Sequence, residues 1–182
     1  MPIVFRKGFP AGNLISALVL PDALYYNKHK DRAEADGPEN REGVMLMLRV
    51  IFGEKGAGKT KRIIDEANAL INTAKGTIVY IDDDKSYTRD IKHQIRFVDA
   101  SEYEIDSPKM FLGFISGIAA QDFDLEALYI DGFLKTVRTD LDELEDFFKQ
   151  VEQFSIKFNV NVTISINSKG EPAPAFLEQY LA

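Results

Sequence analysis

The sequence contains no cysteine. That absence excludes disulfides, iron–sulfur clusters and thiolate zinc sites, and it fits a reducing cytoplasm. Histidine is nearly missing too: His29 and His93 lie far apart in polar surroundings, form no ligand spacing and are expected at the surface. No strongly basic block offsets a net charge of −7, so no cationic face is available to neutralise a nucleic-acid backbone. Long apolar runs are lacking as well. "NLISALVL" ends after eight residues at Pro21 and Asp22, far short of a bilayer span. Arg6 and Lys7 precede it, but no small-x-small cleavage site follows, so a cytoplasmic location is expected.

What is present suffices for one ordinary domain with a short appendage in 182 residues. Residues 27–43, "NKHKDRAEADGPENREG", are almost wholly polar, contain Gly37-Pro38 and show no apolar periodicity. They read as a linker or disordered stretch. The piece before them has room for one short helix near Leu14 to Tyr26 but cannot bury a core alone. The expected organisation is therefore an extension over 1–44 and a domain over 45–182. Arg41-Glu42-Gly43 is encodable by a purine-rich ribosome-binding sequence, which makes Met45 or Met47 an alternative start.

From Met47 onward, short apolar runs alternate with helical patterns, the signature of a mostly parallel sheet covered by helices. Expected strands are Leu48–Phe52, Thr77–Ile81, Ile95–Val98, Ala127–Ile130 and Val160–Ile166, each rich in branched or aromatic residues. The fold class is thus α/β, a three-layer sandwich on a five-stranded sheet. Ile63, Ile64, Ala67, Leu70 and Ile71 recur on one face of a 3.6-residue period, while Lys61, Arg62, Asp65 and Glu66 face away. Ser107-Pro108 predicts an N-cap with proline in the first helical position, opening a helix to about Ala120. Asp140 with Glu143 has the form of a capping box before a stripe of Leu144, Phe147, Phe148, Val151, Phe154 and Phe158.

The first strand runs into Gly53-Glu54-Lys55-Gly56-Ala57-Gly58-Lys59-Thr60, which meets G-x-x-x-x-G-K-[ST] at every fixed position. In this it resembles the P-loop NTPases. Gly53, Gly56 and Gly58 lack a Cβ, so the backbone is free to adopt positive φ and turn its amides around an anion. A helix starting near Lys59 adds its positive end. The resemblance implies that Lys55 to Thr60 cradle the phosphates of ATP, that Lys59 reaches the β- and γ-phosphates, and that the Thr60 hydroxyl ligates Mg²⁺. "ALYIDGF" supplies an apolar strand ending in Asp131, similar to the Walker B element that seats the metal.

Strand candidates between the two motifs point to the RecA/AAA-like division, which often carries a catalytic glutamate directly after the Walker B aspartate. Here that position is Gly132. Fast hydrolysis is therefore not expected. Asp82, Asp83 and Asp84 cluster at the end of the second strand, where one of them, Asp82 or Asp83 foremost, can serve as the general base, or all three can form a solvated turn. Asn167 and Ser168 end the last strand, where this division places a γ-phosphate sensor and where simple turn chemistry also fits.

No Asn-Lys-x-Asp guanine motif is in register, and no arginine pair forms a kinase lid. From Met47 on, "GEKGAGKTKRIID", "IDDD", "ASEYEI" and "IDGFL" resemble short bacterial ATP-binding proteins often labelled "twitching motility protein PilT". The pilus-retraction ATPases carry histidine-bearing motifs that this chain does not contain, so the resemblance implies ATP binding and nothing about pili. Three functions remain open: a slow Mg-dependent ATPase, a nucleotide-gated module that signals to a protein partner, and a small-molecule or nucleoside kinase. If the protein forms a homo-oligomer, Lys135 or Arg138 is a candidate to complete a neighbour's site.

Overall fold

The computed structural model describes residues 47–182. The expected early helix, the polar stretch and the alternative start at Met45 lie outside the described residues. Five strands form one all-parallel sheet in the order β1-β5-β4-β2-β3: β1 (Leu48–Glu54), β2 (Thr77–Asp82), β3 (Arg96–Asp99), β4 (Leu125–Ile130) and β5 (Asn161–Ser168). All five expected strands are present, with no end shifted by more than two residues. An α/β fold follows.

Successive side chains of a strand point to opposite faces, and both faces here are buried. Ile78 and Tyr80 join Ile51, Ala127 and Tyr129 under helix α1 (Lys59–Leu70), which contributes Ile63, Ile64 and Ala67. Val79 and Ile81 join Val50, Leu128 and Ile130 on the other face. That face is covered by α2 (Pro108–Gln121), the short α3 (Phe133–Val137) and α4 (Glu145–Phe158). Aromatic rings tie these helices together: Phe133 lies 5.1 Å from Phe111, edge to face, and 4.8 Å from Phe147, stacked.

The start of α2 is as expected, with Pro108 at its first turn and the Ser107 hydroxyl accepting from the Met110 amide. The start of α4 is not. Residues Leu141–Glu143 form a 3-10 turn, Leu144 is the cap, and Asp140 makes no capping bond but pairs with Lys169 at 2.7 Å. Burial of Leu144 outweighs the capping box, because the fully enclosed leucine fixes where the helix begins. The stripe that follows is buried at Phe147, Phe148, Val151 and Phe154, whereas Phe158 at its end is exposed.

The strand order corrects one expectation about topology. The strands between the two motifs, β2 and β3, lie beyond β4, and the strand separating β1 from β4 is β5. Chain order could not reveal this, since each crossover helix can carry the next strand past its neighbour. Among the described residues no helix is long and apolar enough to cross a membrane.

Candidate functional site

The carboxyl ends of β1, β2, β4 and β5 converge at one rim of the sheet, where open α/β sheets place their ligand sites. A cleft of about 850 Å³ opens there. It is lined by Lys55, Gly56, Gly58, Lys59 and Thr60 from the glycine turn, by Asp82 at the end of β2 with Asp83 and Asp84 after it, by Asp131 and Gly132 after β4, and by Asn167 of β5.

Gly56 and Gly58 adopt φ of 87° and 81°, a left-handed conformation that side chains rarely take. Gly53 does not. It is still paired with Asn167 in the sheet, and a Cβ there would meet only ordinary contacts at 3.9 Å. The expectation that all three glycines serve positive φ is therefore corrected at Gly53. Its role is its carbonyl, which accepts from Lys59 Nζ at 2.8 Å. Ala57 is likewise not in the cleft lining, and its amide donates within the turn to the Glu54 carbonyl at 3.2 Å. The amides of Gly56, Gly58, Lys59 and Thr60 have no backbone acceptor among the described residues, and they surround the left-handed turn that begins α1.

Lys59 is buried, and its ammonium donates to the Gly53 and Glu54 carbonyls, the latter at 2.6 Å. Burial pushes its pKa down and the nearby Asp131 carboxylate pushes it back up. Asp131 is itself buried, at the end of β4, and accepts from its neighbour's amide, Gly132 N, at 2.9 Å and from the Ser165 hydroxyl. Ser165 was not anticipated from the sequence. A signal for it existed: Thr163, Ser165 and Asn167 recur with period two, a polar stripe along a strand otherwise built of branched residues.

The three consecutive aspartates separate by environment. Asp82 is buried and accepts from the Asp83 amide at 2.7 Å. Burial raises its pKa, and the adjacent Asp131 charge raises it further, to about 7. Asp83 is half-buried and pairs with Lys135 at 3.1 Å. Asp84 is exposed; the Ser86 hydroxyl first, then the Ser86 amide that donates to it at 2.6 Å, lower its pKa and mark it as a turn residue. Lys135, a candidate to complete a neighbour's site in a homo-oligomer, pairs here with Asp83 of its own chain.

Gly132 explains why no side chain follows Asp131. Its φ is 64°, and a Cβ built there would fall 2.1 Å from Asp83 Oδ1 and 3.1 Å from Asp82 Oδ1. The Asp83 carboxylate thus occupies the space that a side chain at 132 would claim. Gly132→Ala is expected to lower stability by about 1–3 kcal/mol, from left-handed strain and the clash together. Denaturant midpoints measure it. Removing the carboxylate as well, in Asp83→Ala/Gly132→Ala, should recover the steric part, and strict additivity in that cycle would refute the contact.

Mg²⁺ fits this donor set. It favours oxygen ligands, keeps several waters and needs only one or two carboxylates beside substrate phosphates. Thr60 and Asp131 line the same cleft and supply hydroxyl and carboxylate oxygens. Among the described residues no three His, Cys, Asp or Glu side chains converge into a group that could hold a metal ion. Tyr80 lies against the same carboxylates: burial first, then Asp131 and Asp82, raise the pKa of its hydroxyl, which makes no well-formed hydrogen bond.

Ser168 is not among the residues that line the cleft, and His93 is exposed. Comparison of the chain with protein-family models and with curated proteins gives no match. The functional reading rests on the site.

Proposed function

We propose that this chain is a P-loop nucleotide-binding protein, a slow Mg-dependent ATPase of the RecA/AAA-like kind. One observation carries the proposal: Gly56, Gly58, Lys59 and Thr60, whose four amides have no backbone acceptor among the described residues, line the same cleft as Asp131. Four free donors and a cation around a concavity are what a polyphosphate needs. The insertion of β5 between β1 and β4 supports the RecA/AAA-like assignment.

In this reading the ammonium of Lys59 leaves the Gly53 and Glu54 carbonyls for the β- and γ-phosphate oxygens. Thr60 and Asp131 hold Mg²⁺, which when bound neutralises phosphate charge. Ser165 and the Gly132 amide keep the Asp131 carboxylate oriented. Asp83 stands where the division's catalytic glutamate would reach, and Asp82 beside it has a pKa near neutrality. Either carboxylate can orient water and take its proton as the water oxygen bonds the γ-phosphorus and the β–γ bridge breaks. The ion pair to Lys135 holds the Asp83 carboxylate in place, a restraint that accords with slow turnover. That same restraint favours a second reading, a nucleotide-gated module that hydrolyses little and signals to a protein partner.

A melting curve tests both. Mg-ATP at 100 times its dissociation constant stabilises by about 2.7 kcal/mol, and no shift at saturating Mg-ATP would reject nucleotide binding. Phosphate release then separates the two: a rate at background, in dilute and concentrated protein alike, selects the module.

A further inference from the structure

A second cavity of about 540 Å³ adjoins the nucleotide cleft. The two share Asp83 and Lys135, so a single ion pair forms the partition between them. The volume falls within the range of small-molecule sites, roughly 300–1,000 Å³. We propose that this cavity seats the acceptor of a phosphoryl transfer, an unphosphorylated nucleoside, and that Asp83 faces the acceptor hydroxyl on one side and the γ-phosphate on the other. The inference rests on the nucleotide reading of the larger cleft.

The walls decide the class of acceptor. Tyr103 is half exposed, and its ring is braced against Phe114 at a centroid distance of 4.8 Å, so it offers a fixed flat face. A planar ring stacks on such a face. Beside it, the exposed Glu104 and Asp106 carboxylates only accept hydrogen bonds, which suits a ring carrying N–H donors. With Asp83 they outnumber the two cations of the lining, Lys135 and Arg138, so a neutral acceptor is favoured over a phosphorylated one. Arg138 closes the rim with its backbone in the left-handed region, φ 51°, a conformation that costs a non-glycine residue energy and persists where the fold imposes it.

The partition supplies the chemistry. The acceptor oxygen attacks the γ-phosphorus, the bond from that phosphorus to the β–γ bridging oxygen breaks, and ADP departs with the electron pair. The acceptor's proton passes to the Asp83 carboxylate, and Lys135, released from Asp83 as it is protonated, faces the transferred phosphoryl oxygens. Without an acceptor, water takes the same position and the slow hydrolysis proposed above results.

The test uses the full chain with Mg-ATP and adenosine, guanosine, cytidine, uridine and thymidine, each added singly. ADP formation and the nucleoside monophosphate are followed chromatographically. At least one nucleoside is expected to raise ADP formation about tenfold or more over water, with an equal amount of monophosphate. The ratio of rates with and without that nucleoside should fall to one in Ser101→Tyr, which fills the cavity from an exposed position, and in Glu104→Lys. If Mg-ATP raises the melting temperature yet no nucleoside is phosphorylated, the acceptor site is overturned while the nucleotide site stands. Stimulation that survives both substitutions overturns it too. A protein whose melting temperature ignores Mg-ATP but which forms monophosphate would overturn the larger cleft's assignment instead.

Discussion

Lys59→Ala is expected to lower nucleotide affinity or turnover at least tenfold. The lysine is buried beside the turn, and desolvation already lowers its pKa. Its present partners, the Gly53 and Glu54 carbonyls, are neutral, and a triphosphate offers oxygens of full charge. Charge-assisted hydrogen bonds contribute about 1.5–3 kcal/mol each, so losing one costs roughly tenfold to more than a hundredfold. Lys59→Met keeps the stem length and should lose nearly as much, which separates charge from packing. Titration calorimetry with Mg-ATP and a phosphate-release assay measure the two quantities. Wild-type values for both would rule out a phosphate site at this turn.

Asp82→Asn is expected to stabilise the protein in mild alkali and do nothing in acid. The folded-state pKa of Asp82 is raised, to about 7, by burial and by Asp131. A group of this kind contributes stability in full below its unfolded pKa of about 4, and that contribution is lost as pH rises through the folded value. Above pH 7 the native state therefore holds a buried charge next to another carboxylate. Asparagine carries no charge, and its oxygen can still accept from the Asp83 amide. The gain should be on the order of 2 kcal/mol at pH 8 and vanish near pH 4. Denaturant midpoints at the two pH values check it. An equal difference at both would refute the linkage. Asp131→Asn should in turn lower the Asp82 pKa, because the repelling charge is removed.

The price of such instability is usually kept where activity needs it. Hydrolysis should fall in Asp82→Asn if its ionised form takes the proton. It should fall in Asp83→Asn instead if the partition residue does.

Much of this site was legible because local rules write it. The glycine turn, its strand and its helix are contiguous, so period-two and period-3.6 patterns meet at the residues that matter, and Ser107-Pro108 fixes a helix start by the same local chemistry. The short helix α3 was not legible, since five residues starting at a left-handed Gly132 are too few to show a period. Nor was it legible that Asp82 is buried, Asp83 paired and Asp84 exposed, because a run of one residue type carries no pattern.

The sequence by itself determined the strand–turn–helix unit, the alternation of layers and the apolar strand ending in Asp131. Each depends on neighbours a few residues apart. Only the tertiary structure decided that β5 lies between β1 and β4, that Ser165 meets Asp131, and that Asp83 fills the space left by Gly132. Those facts join residues 34 to 114 positions apart, and packing of the whole sheet, not local propensity, sets them.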